Sequence, residues 1–135
     1  MENIVTTQDD LYRAGLEFNY QDFNAAAKEV LFYREAINEG FRMVRNKNIF
    51  SLNDIKHIQQ ILEQNDAGFR TAPGTRLERS SDRAVIYTPP QDGAEIVRCM
   101  TNLEQFTNDD ELSQLDPLIK MAIIHHQFES IHPFY

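Results

Sequence analysis

The chain has 135 residues, room for one compact domain and little more, and its 41% hydrophobic content argues against wholesale disorder. With 21 acidic against 13 basic residues the formal net charge is -8, which disfavours nucleic-acid partners, because phosphate backbones reward clustered Lys and Arg. No apolar run approaches the roughly 20 residues that cross a bilayer, Met1–Asp10 is too acidic and polar for a secretory signal, and the single cysteine, Cys99, cannot form an internal disulfide; a cytoplasmic protein with no membrane partner is expected.

In chain order, residues 8–20 mix acidic and aromatic side chains and predict a short helix ending near Gly15. Asn24 is a candidate cap for a helix whose apolar positions Val30, Tyr33, Ile37, Phe41 and Val44 recur at spacings of three and four. That stripe is expected to be buried, with Gly40 marking close packing against a neighbour. Ser51 opens a second helix lined on one side by Leu52, Ile55, Ile58 and Leu62, fading at Gln64–Gly68. Phe69–Arg79 and Ala84–Thr88 flank the polar turn Ser80–Arg83 and read as a β-hairpin closed by Pro89–Pro90. Such a hairpin is marginal in water by itself and must lean on the helices. Asp92 and Glu95 have capping-box spacing ahead of a helix carrying Ile96, Val97, Met100, Leu103 and Phe106. Asp116–Pro117 places a cap before proline at the first helical position. The following Leu118–Ile124 is apolar on nearly every side, as in a central helix wrapped by neighbours. The fold class is therefore mainly α with one hairpin, lacking the C-terminal part of its core. It divides into an N-terminal segment, 1–23, and a helical domain, 24–135.

Three of the four histidines lie in the last eleven residues. His125 and His126 are adjacent and face different ways, and Glu129 follows His125 by one helical turn. Pro133 disfavours a helical conformation at His132, so the helix should end there. A histidine side chain ordinarily titrates near ~6.5, which leaves much of it neutral at physiological pH and able to act as a general base. The spacing of His125, Glu129 and His132 matches neither common metalloprotease helix motif, and no metal ligands are assigned.

Leu118–Phe134, containing His-Gln-Phe-Glu-Ser-Ile-His-Pro-Phe, resembles the helix and the start of the signature loop of the Fic family. Phe69–Arg70 and Tyr87–Pro90 look like that family's hairpin, the flap, and Ala27–Ala36 is similar to the helix that usually precedes it. Helix, hairpin and His-Pro-Phe in this order make the resemblance specific, and it covers nearly the whole chain. It implies a protein adenylyltransferase moving AMP from ATP, with magnesium, to a Ser, Thr or Tyr hydroxyl of a target protein. His132 is then the base that deprotonates that hydroxyl. Pro133 and Phe134 anchor the loop, and Val85, Ile86, Tyr87 and Thr88 pin the target segment by strand-like pairing. Glu2 and Asn3 resemble the tail of the inhibitory helix of a regulated branch, in which the Glu pairs with an arginine at the phosphate site.

Where the family continues His-Pro-Phe with a variable residue, an acidic magnesium ligand, Gly-Asn-Gly-Arg and a further helix, this sequence reaches only the variable position, Tyr135. A base with nothing to hold the nucleotide is expected not to catalyse, since phosphoryl-type transfer depends on positioning and charge stabilisation. The expectation is thus a truncated portion of such an enzyme, inactive alone and unable to bind ATP and magnesium well, with the apolar helix 117–130 uncovered or covered by a protein partner. The alternatives are a non-catalytic binding or regulatory remnant that docks onto a partner protein, or an inert product.

Overall fold

The computed structural model describes residues 25–112 and 114–135. Among them are four helices, α1 (Ala25–Asn46), α2 (Leu52–Glu63), α3 (Gly93–Asn108) and α4 (Pro117–Ile131), and an antiparallel hairpin of β1 (Leu77–Glu78) and β2 (Val85–Tyr87). The fold is mainly helical with one small hairpin, as the sequence pattern leads one to expect. The helix expected within residues 8–20, the Asn24 cap and the Glu2–Asn3 pair lie outside the described residues. No helix among the described residues is long and apolar enough to cross a membrane.

The chain forms two compact units. Among the described residues the first comprises 25–48 and 57–66. Within it α1 buries Ala27, Leu31 and Ala36. This corrects the expected stripe: Tyr33, Ile37, Phe41 and Val44 are exposed, Ile37 to 68%, and Val30 is half-buried. Helical spacing tells which residues share a face, but small side chains elsewhere on the helix allow closer approach, and here the alanine-containing face is the one covered. The exposed stripe is partly shielded by its own helix, with the Arg45 guanidinium 5.1 Å from the centre of the Phe41 ring. Gly40 behaves as expected, because a Cβ there would meet Ile58 Cδ1 at 3.2 Å. On the exposed side Arg42 donates to both carboxylate oxygens of Glu39, at 3.0 and 2.8 Å.

The second unit comprises Ile49–Lys56 and Ala67–Tyr135. Its core is Phe69, Ile96, Met100, Leu103 and Ile131, with Leu52, Ile55, Cys99, Ile124, Phe128 and Phe134 packed around them. The residues 96, 100 and 103 fall at spacings of four and three, so one face of α3 meets α4. Three of the helix starts are capped as their sequences suggest. Ser51 Oγ accepts from the Asp54 N–H at 3.3 Å, while the buried Asp54 carboxylate accepts from Ser51 N–H and Oγ at 2.9 and 2.8 Å. Asp92 accepts from Ala94 N–H at 3.0 Å and Asp116 from Leu118 N–H at 2.9 Å. The start of α2 is tied to α3 by two further side chains. Leu52 N–H donates to Glu104 at 2.8 Å, and the Asn108 amide accepts from Phe50 N–H and donates to Phe50 C=O, at 2.8 and 2.7 Å.

Candidate functional site

The helix α4 stops at Ile131 because Pro133 has no N–H to continue it and crowds the residue before it. His132 is the cap. Its N–H still donates to Phe128 C=O at 3.0 Å, but its backbone turns left-handed, with φ 46° and ψ 65°. The chain thus leaves the helix by a left-handed cap, a conformation usually given to glycine, instead of the extended path that a residue before proline favours.

That turn sorts the side chains of the loop. His132 is exposed, Pro133 is buried and Phe134 is half-buried. The Phe134 ring lies 5.3 Å from the Phe69 ring and 6.3 Å from that of Phe128, centre to centre, tilted at 51° and 53° and within the usual range of aromatic contacts. His125, His126 and Glu129 are also exposed on α4. Among the described residues no group of three His, Cys, Asp or Glu side chains is placed to hold a metal ion.

The hairpin pairs Leu77 with Tyr87 and Glu78 with Val85, the register slipping between them. Its turn is closed by Arg79 N–H donating to Ala84 C=O at 2.8 Å, with Arg83 left-handed at φ 60°. Val85, Ile86, Tyr87 and Thr88 are all exposed. Tyr87 is nevertheless tethered, since its hydroxyl donates to Ser130 C=O at 2.8 Å, in the last turn of α4. Gln91 staples the base of the hairpin, accepting from Gly74 N–H at 2.6 Å and donating to Thr75 and Pro89 carbonyls at 2.9 and 2.6 Å. Hairpin and loop are therefore joined at the helix end.

Two residues with no role assigned from the sequence complete the site. Arg70 is fully buried. Its Nε donates to His132 C=O at 2.6 Å, its Nη2 to Pro90 C=O at 2.6 Å and Ile131 C=O at 3.2 Å, and its backbone N–H to Pro133 C=O at 2.8 Å. The Tyr135 hydroxyl oxygen accepts from Ala72 N–H at 2.9 Å and Thr71 N–H at 3.0 Å. These two amides hold the Tyr135 phenol below the ordinary tyrosine range. A signal for Arg70 existed in the sequence, as an arginine next to Phe69 and just ahead of the hairpin. The partners of its guanidinium are backbone carbonyls 20 to 62 residues away, however, and carbonyls have no residue identity to read.

The fold and this constellation define a class: a helical domain with a small hairpin tied to the end of a helix that runs into an ordered His-Pro-Phe loop. Residues 49–135 match the Fic/DOC family and residues 1–42 match the Fic/DOC family N-terminal region. The chain belongs to the Fic/DOC family.

Proposed function

We propose that this domain is the N-terminal portion of a protein adenylyltransferase, with His132 as its general base. The observation that carries the reading is His132 itself, held exposed just past α4 by a loop whose Phe134 is packed inward. A neutral imidazole at that position takes the proton of a Ser, Thr or Tyr hydroxyl on the target protein. The hydroxyl oxygen forms its new bond to the α-phosphorus of ATP, and pyrophosphate leaves with the electron pair of the broken P–O bond. The exposed strand Val85–Tyr87 and Thr88 offer backbone groups for an extended target segment, in the manner of strand addition to a sheet edge. Pro133 and Phe134 keep the base in register with that edge, and Glu2 and Asn3 act as an inhibitory element. Among the described residues no group of His, Cys, Asp or Glu side chains is placed to hold magnesium. The Met1–Tyr135 sequence has no Gly-Asn-Gly-Arg turn to cradle phosphates, and we infer that these 135 residues do not catalyse by themselves. The reaction belongs to the cytoplasm.

A second reading is favoured by the exposure of Leu118, Ile119 and Met121 on α4: a domain that docks a protein partner through residues 117–130 and performs no transfer. One experiment separates the two. The protein is isolated from its source, its intact mass is measured, and it is incubated with ATP labelled at the α-phosphate. The enzyme reading expects peptides running past Tyr135 into an acidic-Gly-Asn-Gly-Arg segment, with label on target hydroxyls that is lost in His132→Ala. Partner binding that is indifferent to His132, with no label, sinks it.

A further inference from the structure

We propose that Arg70 is the positioning residue for His132, holding the base in its left-handed conformation and coupling it to the end of the hairpin. The last carbonyls of a helix have no partners within it and need donors from elsewhere. At the end of α4 the Tyr87 hydroxyl serves the Ser130 carbonyl, and Arg70 serves the carbonyls that follow. Three successive carbonyls, those of Ile131, His132 and Pro133, accept from Arg70, the first two from the guanidinium and the third from the backbone N–H. A non-glycine residue in the left-handed region persists only where its surroundings over-determine it. Here the peptide groups on both sides of the His132 α-carbon are fixed by hydrogen bonds, through His132 N–H to Phe128 at 3.0 Å and His132 C=O to Arg70 Nε at 2.6 Å.

The same guanidinium reaches Pro90 C=O at 2.6 Å, two residues beyond the exposed Thr88 of the hairpin. One rigid planar group therefore sets both the base and the root of the strand, which a flexible ammonium cannot reproduce at two divergent carbonyls. Its remaining nitrogen, Nη1, is buried with no hydrogen-bond partner among the described residues, which costs stability. Tyr135 braces the far side of the loop on the amides of Thr71 and Ala72, the two residues after Arg70. The segment 70–72 thus grips the chain from residue 131 to 135. The catalytic meaning of this grip rests on His132 being the base; the grip itself does not.

The test is nuclear magnetic resonance on the full 135-residue chain. In the wild type, the Arg70 Nε–H should exchange slowly and correlate through its hydrogen bond with the His132 carbonyl carbon. The amide–α coupling and carbon shifts of His132 should report a positive φ. In Arg70→Lys, the signals of Ile96, Met100 and Leu103 should keep their dispersion. His132 should lose its positive-φ signature, and the amides of His132, Phe134 and Tyr135 should exchange about tenfold faster. A rapidly exchanging Nε–H in the wild type overturns the proposal, and that measurement stands even if the lysine variant does not fold. A folded Arg70→Lys chain with an unchanged His132 overturns it equally. If the clamp is observed but the source protein transfers no AMP, the functional reading fails and the positioning role survives. If transfer depends on His132 while Arg70→Lys leaves the loop untouched, the reverse holds.

Discussion

The two ends of α4 differ in composition and have opposite fates, and the more apolar end is the more exposed. Near the N-terminus Leu118 and Met121 are 70% and 61% exposed, and Ile119 is exposed beside them. Near the C-terminus Ile131 is 5% exposed, and Phe128 packs against Phe134. Apolarity does not set these fates: Leu118–Ile124 is apolar but for Lys120, whereas residues 125–131 have only Phe128 and Ile131 as apolar side chains. What differs is the supply of partners. The C-terminal end meets the core residues of α3 together with Phe69 and the donor set of Arg70, whereas the N-terminal end has chiefly its own cap and Lys120. The Lys120 ammonium lies 5.7 Å from the centre of the Phe106 ring and binds Asp110 at 2.9 Å, laying its stem across the helix surface. The packed end is thus the one that carries the histidine, and its packing comes from elements distant in sequence.

That contrast can be broken at several points. The largest effect is expected in the core under the packed end: Met100 is fully buried, and Met100→Ala should cost about 2–5 kcal/mol through the cavity it leaves, read from urea unfolding midpoints. Next comes His132→Gly, which relieves the left-handed strain and should make the folded chain about 1 kcal/mol more stable while removing the proposed base. A destabilised glycine variant would mean that the imidazole itself makes stabilising contacts. At the other end, Asp116→Ala removes the cap on Leu118 N–H and should cost roughly 1 kcal/mol. Leu118→Ser should change stability by less than about 0.5 kcal/mol, because the side chain is already in water. A larger loss would reveal a covering surface at that end.

The smallest and most specific effect concerns pH. The phenol of Tyr135 is lowered by the amides of Ala72 and Thr71. An acid whose folded pKa is depressed adds stability that is fully present above its unfolded value, near ~10 for tyrosine, and lost as pH falls through the lowered folded value. Absorbance titration should show an early phenol ionisation in the wild type that is lost in Tyr135→Phe. The stability gap between the two chains should widen as pH rises toward that range. A gap that is flat with pH would show that the hydroxyl does not ionise while bound to those amides.

Much of the fold is legible one residue at a time. Ser51, Asp92 and Asp116 cap helices because a short side chain next to a helical run satisfies the free N–H groups of the first turn, a local matter of three residues. The end of α4 follows from Pro133, and the hairpin from two extended stretches around a polar turn. Those local rules, with the order of helix, hairpin and His-Pro-Phe, were enough to point to the Fic/DOC family. The burial of α1 was not legible: its periodic stripe is a real face, yet the packed face is the one with Ala27 and Ala36, because which face finds a neighbour is settled by the rest of the chain. The left-handed turn of His132 and the role of Arg70 were hidden for the same reason. Sequence by itself determined the elements, their caps and the position of the histidine. Tertiary structure alone decided how that histidine is held, since its restraints are carbonyl oxygens and amide protons common to nearly every residue, and only folding brings Arg70 within reach of the right three.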